Sequence, residues 1–170
     1  MTEHNSKTKP ITLLFALETT PLTARNKEIH CLVTMDYETG EITRYNDTGM
    51  TDPIVRGVQY LEAADTIIGH NIIGFDLPVI KHIYPFFEPK GVIVDTLILS
   101  RLYHADMLNT DRNTQHKGMP TKLYGRHSLE SYGYRLGEYK GNFGQTADWS
   151  AWSKEMEDYC EQDVIVTNKL

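Results

Sequence analysis

Ile11–Leu17 reads ITLLFAL, an almost unbroken apolar run that stops abruptly at Glu18. Side chains alternate sides along a strand, so a run apolar at every position needs cover on both faces. The run therefore predicts a central strand with helices packed above and below it. A chain of 170 residues is long enough to build this as one domain, burying roughly 70% of its unfolded surface without disulfides or a structural metal.

The rest of the chain supplies the layers. Glu28–Asp36 and Glu41–Tyr45 read as a hairpin, with Gly40 of the Tyr37-Glu38-Thr39-Gly40 connection free to take the left-handed position. Pro53–Ala64 predicts a helix and Thr66–Gly69 a short strand. Pro78 fits the first turn of a helix reaching about Tyr84. Gly91–Val94 is strand-like, and Asp95 opens a helix to about Tyr103. Ala105–Gly125 is polar, holds Gly118 and Pro120, and predicts a long loop of the kind that carries function. Ser128 starts a helix to about Leu136, and a last helix begins near Ser150 or Ser153 and runs to the end. Strands alternating with helices after an N-terminal hairpin give an α/β fold with a mixed sheet. Met1–Pro10 reads as a polar tail without a secretory signal, and residues 11–170 as the domain.

Composition removes several classes. Hydrophobic content of 40% and charged content of 24% exclude disorder, collagen and coiled coil. No apolar run approaches the roughly 20 residues of a membrane-spanning helix. Cys31 and Cys160 lie far apart and match no metal or redox spacing, which suits a reducing compartment. With 17 basic against 23 acidic residues the net charge is −6, which argues against gripping nucleic acid by charge alone.

Three places concentrate carboxylates. On a wheel of about 100° per residue with Trp152 at the origin, Met156, Tyr159 and Leu170 form an apolar stripe. Lys154, Glu155, Glu157, Asp158 and Glu161 take the solvated side. Asp163 falls near the centre of the stripe, one turn after Tyr159, where a carboxylate must be paired, hydrogen-bonded or metal-bound. A core Tyr beside a structural Asp fits equally well. Glu18 ends the apolar strand on the face shared by Leu14 and Ala16, where ligands of α/β sheets gather; a strand reaching solvent is the plainer reading. In Gly69-His70-Asn71-Ile72-Ile73-Gly74-Phe75-Asp76-Leu77-Pro78, Asp76 reads alone as a helix cap, His70 as a packed histidine and Asn71 as a turn former. Asp95 also reads first as a cap. Oxygen ligands without a Cys or His cluster favour Mg²⁺ or Mn²⁺, which in pairs serve phosphoryl transfer to water.

Taken in order, these segments resemble the 3′–5′ proofreading exonuclease domains of DNA polymerases, the DEDD superfamily with a ribonuclease-H-like fold. Phe15-Ala16-Leu17-Glu18-Thr19 stands at the first motif, Asn71 to Asp76 matches the second, Asn-x3-Phe/Tyr-Asp, and Tyr159 to Asp163 matches the third, Tyr-x3-Asp, of the tyrosine subtype. The wording of Asp95–Leu102, of His127–Gly137 and of the last helix is similar to family A replicative polymerases of phages. The resemblance implies a mixed five-stranded sheet with N-terminal antiparallel strands flanked by helices. It implies Glu18, Asp76 and Asp163 as ligands of two ions, Tyr159 orienting the attacking water, and Leu17, Asn71 and Phe75 around the terminal base. Its partners would be a single-stranded DNA 3′ end and a polymerase domain in cis, its product nucleoside 5′-monophosphates, and its place the cytoplasm of an infected bacterium, with no membrane association. The chain stops at Leu170 inside a periodic helix without a Gly or Pro stop signal, as a piece of a longer protein would, although a natural short exonuclease also fits.

One position departs from the pattern. Where the first motif begins with the Asp that bridges both ions, this chain has Ala16. Loss of that charge predicts absent or very slow hydrolysis, and a single truncation in an otherwise complete set has the form of an engineered inactivation rather than of decay. An exoribonuclease of the same superfamily, or a catalytically silent module that binds a strand end or a protein, remain as alternatives. Arg112, Lys117, Lys122 and Arg126 are candidate phosphate contacts or solvated charge, and Tyr124, Tyr132, Tyr134 and Tyr139 are packing residues first and stacking platforms second.

Overall fold

The apolar run forms β1 (Thr12–Thr19), the middle of a five-stranded sheet in the order β3-β2-β1-β4-β5, in a computed structural model that describes residues 9–21, 27–139, 141, 144 and 148–170. Most of the expected tail, Met1–Pro10, lies outside the described residues. β2 (Ile29–Asp36) runs antiparallel to β1, and β3 (Ile42–Tyr45) antiparallel to β2, joined through Gly40 at φ 73°. β4 (Thr66–Gly69) and β5 (Val92–Asp95) are parallel to β1. β1 continues past the expected end at Leu17, and its pairing with β2 is irregular between Glu18 and Thr19.

Alternation along β1 separates two cores. Leu13, Phe15 and Leu17 face α1 (Ile54–Ala63) and α2 (Asp76–Ile83) with Leu32, Val58, Leu61 and Ile80. Leu14 and Ala16 face Met156, Cys160 and Val164 of the last helix, here α6 (Lys154–Lys169). Burying an aliphatic side chain stabilises by about 1.5–3 kcal/mol, so the doubly covered strand anchors both layers. Cys31 and Cys160, distant in sequence, are both free thiols that meet in the second core; burial first, and then the Cys31 contact, pushes the Cys160 thiol well up.

Between β5 and α6 lie α3 (Thr96–Tyr103), α4 (Met107–Thr114) and α5 (Leu129–Leu136). Asp95 caps α3 and Ser128 caps α5, as short side-chain acceptors should. The expected loop Ala105–Gly125 contains α4 and a 3₁₀ turn, Thr121–Leu123. α4 shows no apolar stripe because its two inward positions, one turn apart, are Met107 and Asp111. Asp111 is fully buried, accepts Arg135 Nε at 2.8 Å and Nη2 at 2.7 Å, and accepts the Gly125 N–H at 2.7 Å. Burial pushes its pKa up, yet the Arg135 and Gly125 hydrogen bonds prevail and hold it below the usual range.

α6 also differs from the wheel. Its buried line is Met156-Cys160-Val164, with Glu157 buried beside it. Glu157 belongs inside because Asn46 Nδ2 donates to it at 2.7 Å, from a part of the chain no helical wheel sees. Tyr159 and Asp163 consequently lie at the edge of the buried face rather than at its centre, half-buried.

Candidate active site

The carboxyl end of β1 points Ala16 and Glu18 toward α6, while the segment after β4 turns back beneath them. That turn is tight. Asn71 takes the left-handed conformation at φ 63°, Phe75 N–H donates to Asn71 O at 3.0 Å, and Leu77 N–H to Ile72 O at 2.9 Å. Gly69 is required at its start, since a Cβ there would lie 3.1 Å from the Phe15 carbonyl and nearer still to Ile72. α2 then begins at Asp76 itself. Asp76 is therefore not the cap that its neighbourhood to Pro78 predicts: Phe75 occupies that place and makes no side-chain cap bond. His70 is packed as expected, its ring between Thr96 Oγ at 2.9 Å and the His127 carbonyl at 2.8 Å.

These elements enclose a cleft of about 280 Å³ lined by Ala16, Leu17, Glu18, Asn71, Phe75, Asp76, Tyr159 and Asp163, which brings together every residue singled out from the three motifs. Phe15, His70, Leu129 and Thr167 complete the wall. Thr167 was legible only as the position one turn beyond Asp163, whose carbonyl accepts its hydroxyl at 2.7 Å. Asp76 is 7% exposed, and its pKa is pushed up to about 7, chiefly by burial and then by the charges of Asp163 and Asp95; its own N–H and that of Leu17 oppose the rise. Asp76 is thus a buried acid whose ionisation burial and the neighbouring carboxylates oppose.

A hard divalent cation is the natural complement to such carboxylates. Among the described residues, however, no three His, Cys, Asp or Glu side chains are arranged to hold one. Glu18, Asp76 and Asp163 share the cleft with Ala16 without closing into a ligand set. The residues present do not make a complete cation site.

Cations border the cleft. Lys27 Nζ lies 5.2 Å above the Phe75 ring, a contact that nothing in the sequence pattern announced. A second cleft of about 590 Å³ shares His70, Asn71 and Leu129 with the first and adds Arg101 and Arg126. Arg112, Lys117 and Lys122 are exposed and line neither cleft. Tyr132 is 3% exposed and packs in the core, while Tyr134 and the half-exposed Tyr139 lie with ring centroids 5.0 Å apart.

Two curated proteins match over most of the chain. The DNA-directed DNA polymerase of Escherichia phage T7 is 31% identical over an alignment 172 residues long, gaps included, that covers 84% of this chain and 23% of the polymerase. That of Enterobacteria phage T3 is 30% identical over 180 residues, covering 93% and 26%. The chain spans about a quarter of the length of these relatives. No protein-family profile matches it. Among solved structures, Brucella melitensis NrnC superimposes with a TM-score of 0.62 at 18% identity, over 95% of this chain and 70% of that one. Escherichia coli RNase D, an exoribonuclease of structured RNA processing, gives 0.57 at 17%, over 91% and 36%. The zinc-bound E. coli ExoI–ssDNA complex gives 0.58 at 15%, over 95% and 39%. At these identities the likeness is one of fold, the ribonuclease-H-like exonuclease fold.

Proposed function

We propose that this chain, similar over most of its length to the DNA polymerases of phages T7 and T3, is a DEDD-type exonuclease domain, that its cleft receives the 3′ end of single-stranded DNA, and that the activity of this architecture is 3′–5′ hydrolysis to nucleoside 5′-monophosphates. The observation that carries the reading is the convergence of three distant motifs, Ala16–Glu18, Asn71–Asp76 and Tyr159–Asp163, in one acidic cleft at the carboxyl end of a central strand. In this reading Leu17 and Phe75 flank the terminal base, Asn71 contacts the terminal nucleotide, and Tyr159 positions water from the α6 side. Glu18, Asp76 and Asp163 are oxygen donors suited to Mg²⁺ or Mn²⁺. A bridging Asp at position 16 completes the set for two ions, the arrangement that serves phosphoryl transfer. With Ala16 the set is incomplete, and the chain binds the strand end but hydrolyses it at least about a hundredfold to a thousandfold more slowly.

The test is degradation of 5′-end-labelled single-stranded DNA by the chain as it stands and by Ala16→Asp, in Mg²⁺, Mn²⁺ and EDTA. The revertant is expected to give a metal-dependent ladder, with little or none from the Ala16 chain. A revertant inactive in both metals overturns the assignment. DNA is preferred over RNA because the sequence relatives are DNA polymerases; the fold likeness to an exoribonuclease favours a second reading, which matched RNA and DNA oligomers decide. A polymerase domain in cis and the cytoplasm of an infected bacterium complete the proposal. No helix among the described residues is long and apolar enough to cross a membrane.

A further inference from the structure

Asp95 does more than cap a helix. It is 5% exposed, and its carboxylate collects four backbone N–H groups from two segments. Oδ1 accepts Leu97 N at 2.9 Å and Ile98 N at 3.4 Å from the first turn of α3, and also Asn71 N at 2.9 Å; Oδ2 accepts Ile73 N at 3.0 Å. The second pair of donors belongs to the turn that delivers Asn71, Phe75 and Asp76 to the acidic cleft. A cap needs one oxygen, whereas this geometry uses both. The turn has reason to need support, because Asn71 holds a left-handed φ of 63° without being glycine. The neighbouring residue reinforces the grip: Thr96 Oγ lies 2.9 Å from the His70 ring Nδ1 and 3.3 Å from the Gly69 carbonyl.

We infer that Asp95 is a positioning residue that sets the shape of the Asn71–Phe75 turn, and through it the pocket for the terminal nucleotide of a single strand. The second half of this statement rests on the function proposed above; the first half does not. Serine is as good an N-cap as aspartate, but its single oxygen sits one bond nearer the backbone, so Asp95→Ser keeps the cap while giving up both the Asn71 bond to Oδ1 and the Ile73 bond to Oδ2. Asp95→Asn keeps the reach of the side chain and one acceptor.

Backbone amide exchange is measured in the chain as it stands and in both variants, together with fluorescence anisotropy of a 5′-labelled single-stranded oligodeoxynucleotide. In Asp95→Ser, Leu97 and Ile98 are expected to keep their protection, while Asn71 and Ile73 exchange at least about tenfold faster, the scale of one hydrogen bond to a charged acceptor. Oligonucleotide affinity is expected to fall by a similar factor, and Asp95→Asn to recover part of both losses. Unchanged protection at Asn71 and Ile73, or equal loss at all four amides, overturns the inference. If Asp95→Ser does not fold, the ratio of turn to cap exchange in Asp95→Asn decides the same point. Failure of the parent chain to bind the oligonucleotide counts against the proposed function, while the exchange ratio still settles whether Asp95 shapes the turn.

Discussion

Asp76→Asn is expected to stabilise the metal-free chain at neutral and alkaline pH and to do so less and less as the pH falls. Asp76 is buried with Asp163 and Asp95 acting on it, and its pKa stands near 7 instead of the ordinary 3.8. The folded state therefore binds a proton that the unfolded state has already released between about pH 4 and pH 7, and stability falls as pH rises through that window. The rise from 3.8 to about 7 corresponds to about 4 kcal/mol held against the ionised carboxylate in the fold. About 2 kcal/mol of this is lost between pH 5 and pH 7. An asparagine has no charge to bury, so the difference in unfolding free energy between variant and parent isolates this group from the carboxylates common to both. Urea unfolding in EDTA from pH 5 to pH 8.5 measures it. The gap is expected to widen with pH by about 2–3 kcal/mol and to flatten above pH 7 to 8. Parallel pH profiles for parent and variant refute the argument that Asp76 is an unneutralised buried acid.

Arg135→Met leaves the fully buried Asp111 without its bidentate partner and is expected to cost about 3–5 kcal/mol by urea unfolding, with Asp111→Leu in addition restoring much of it. In the parent, Asp111 ionises below the usual range, so its contribution is present above about pH 4 and is lost as pH falls through its folded pKa, a loss that Asp111→Asn abolishes in an acid titration. Gly57→Ala puts a Cβ within 2.7 Å of the Tyr45 ring and closer to Leu32; a destabilisation of about 1–3 kcal/mol, read as a lowered Tm, is the expected result. In the Ala16→Asp background, Tyr159→Phe is expected to lower kcat about a hundredfold with little change in oligonucleotide Kd, and an equal effect on both undermines its assigned role.

Much of the architecture was legible because it follows from local rules. The almost unbroken apolar run of β1 demanded two covering layers and obtained them in the α1–α2 and α6 cores. Ser128 and Ser153 start their helices as acceptors of a free N–H, and Gly40 supplies the left-handed turn residue. α4 escaped notice because half of its buried face is Asp111, which is stable there only through Arg135, 24 residues away. The helical wheel places Glu157 in solvent for the same reason: its partner Asn46 lies 111 residues back. Asp95 was readable as a cap from its place before a helix, but its grip on Asn71 and Ile73 depends on β4 and β5 pairing in parallel, with Gly69 beside Asp95.

The sequence by itself determined the α/β plan, the order of the motifs, and the absence of a carboxylate at position 16, because strand alternation and motif spacing are properties of neighbouring residues. Only the tertiary structure decided that Ala16, Glu18, Asp76, Tyr159 and Asp163 share one cleft. It also decided that Asp76 is an acid near pKa 7 rather than a cap, and that the three remaining carboxylates do not close into a cation site. Burial and charge proximity act through space at a few ångströms, and the residues that impose them here come from strands and helices that meet only when the sheet has formed.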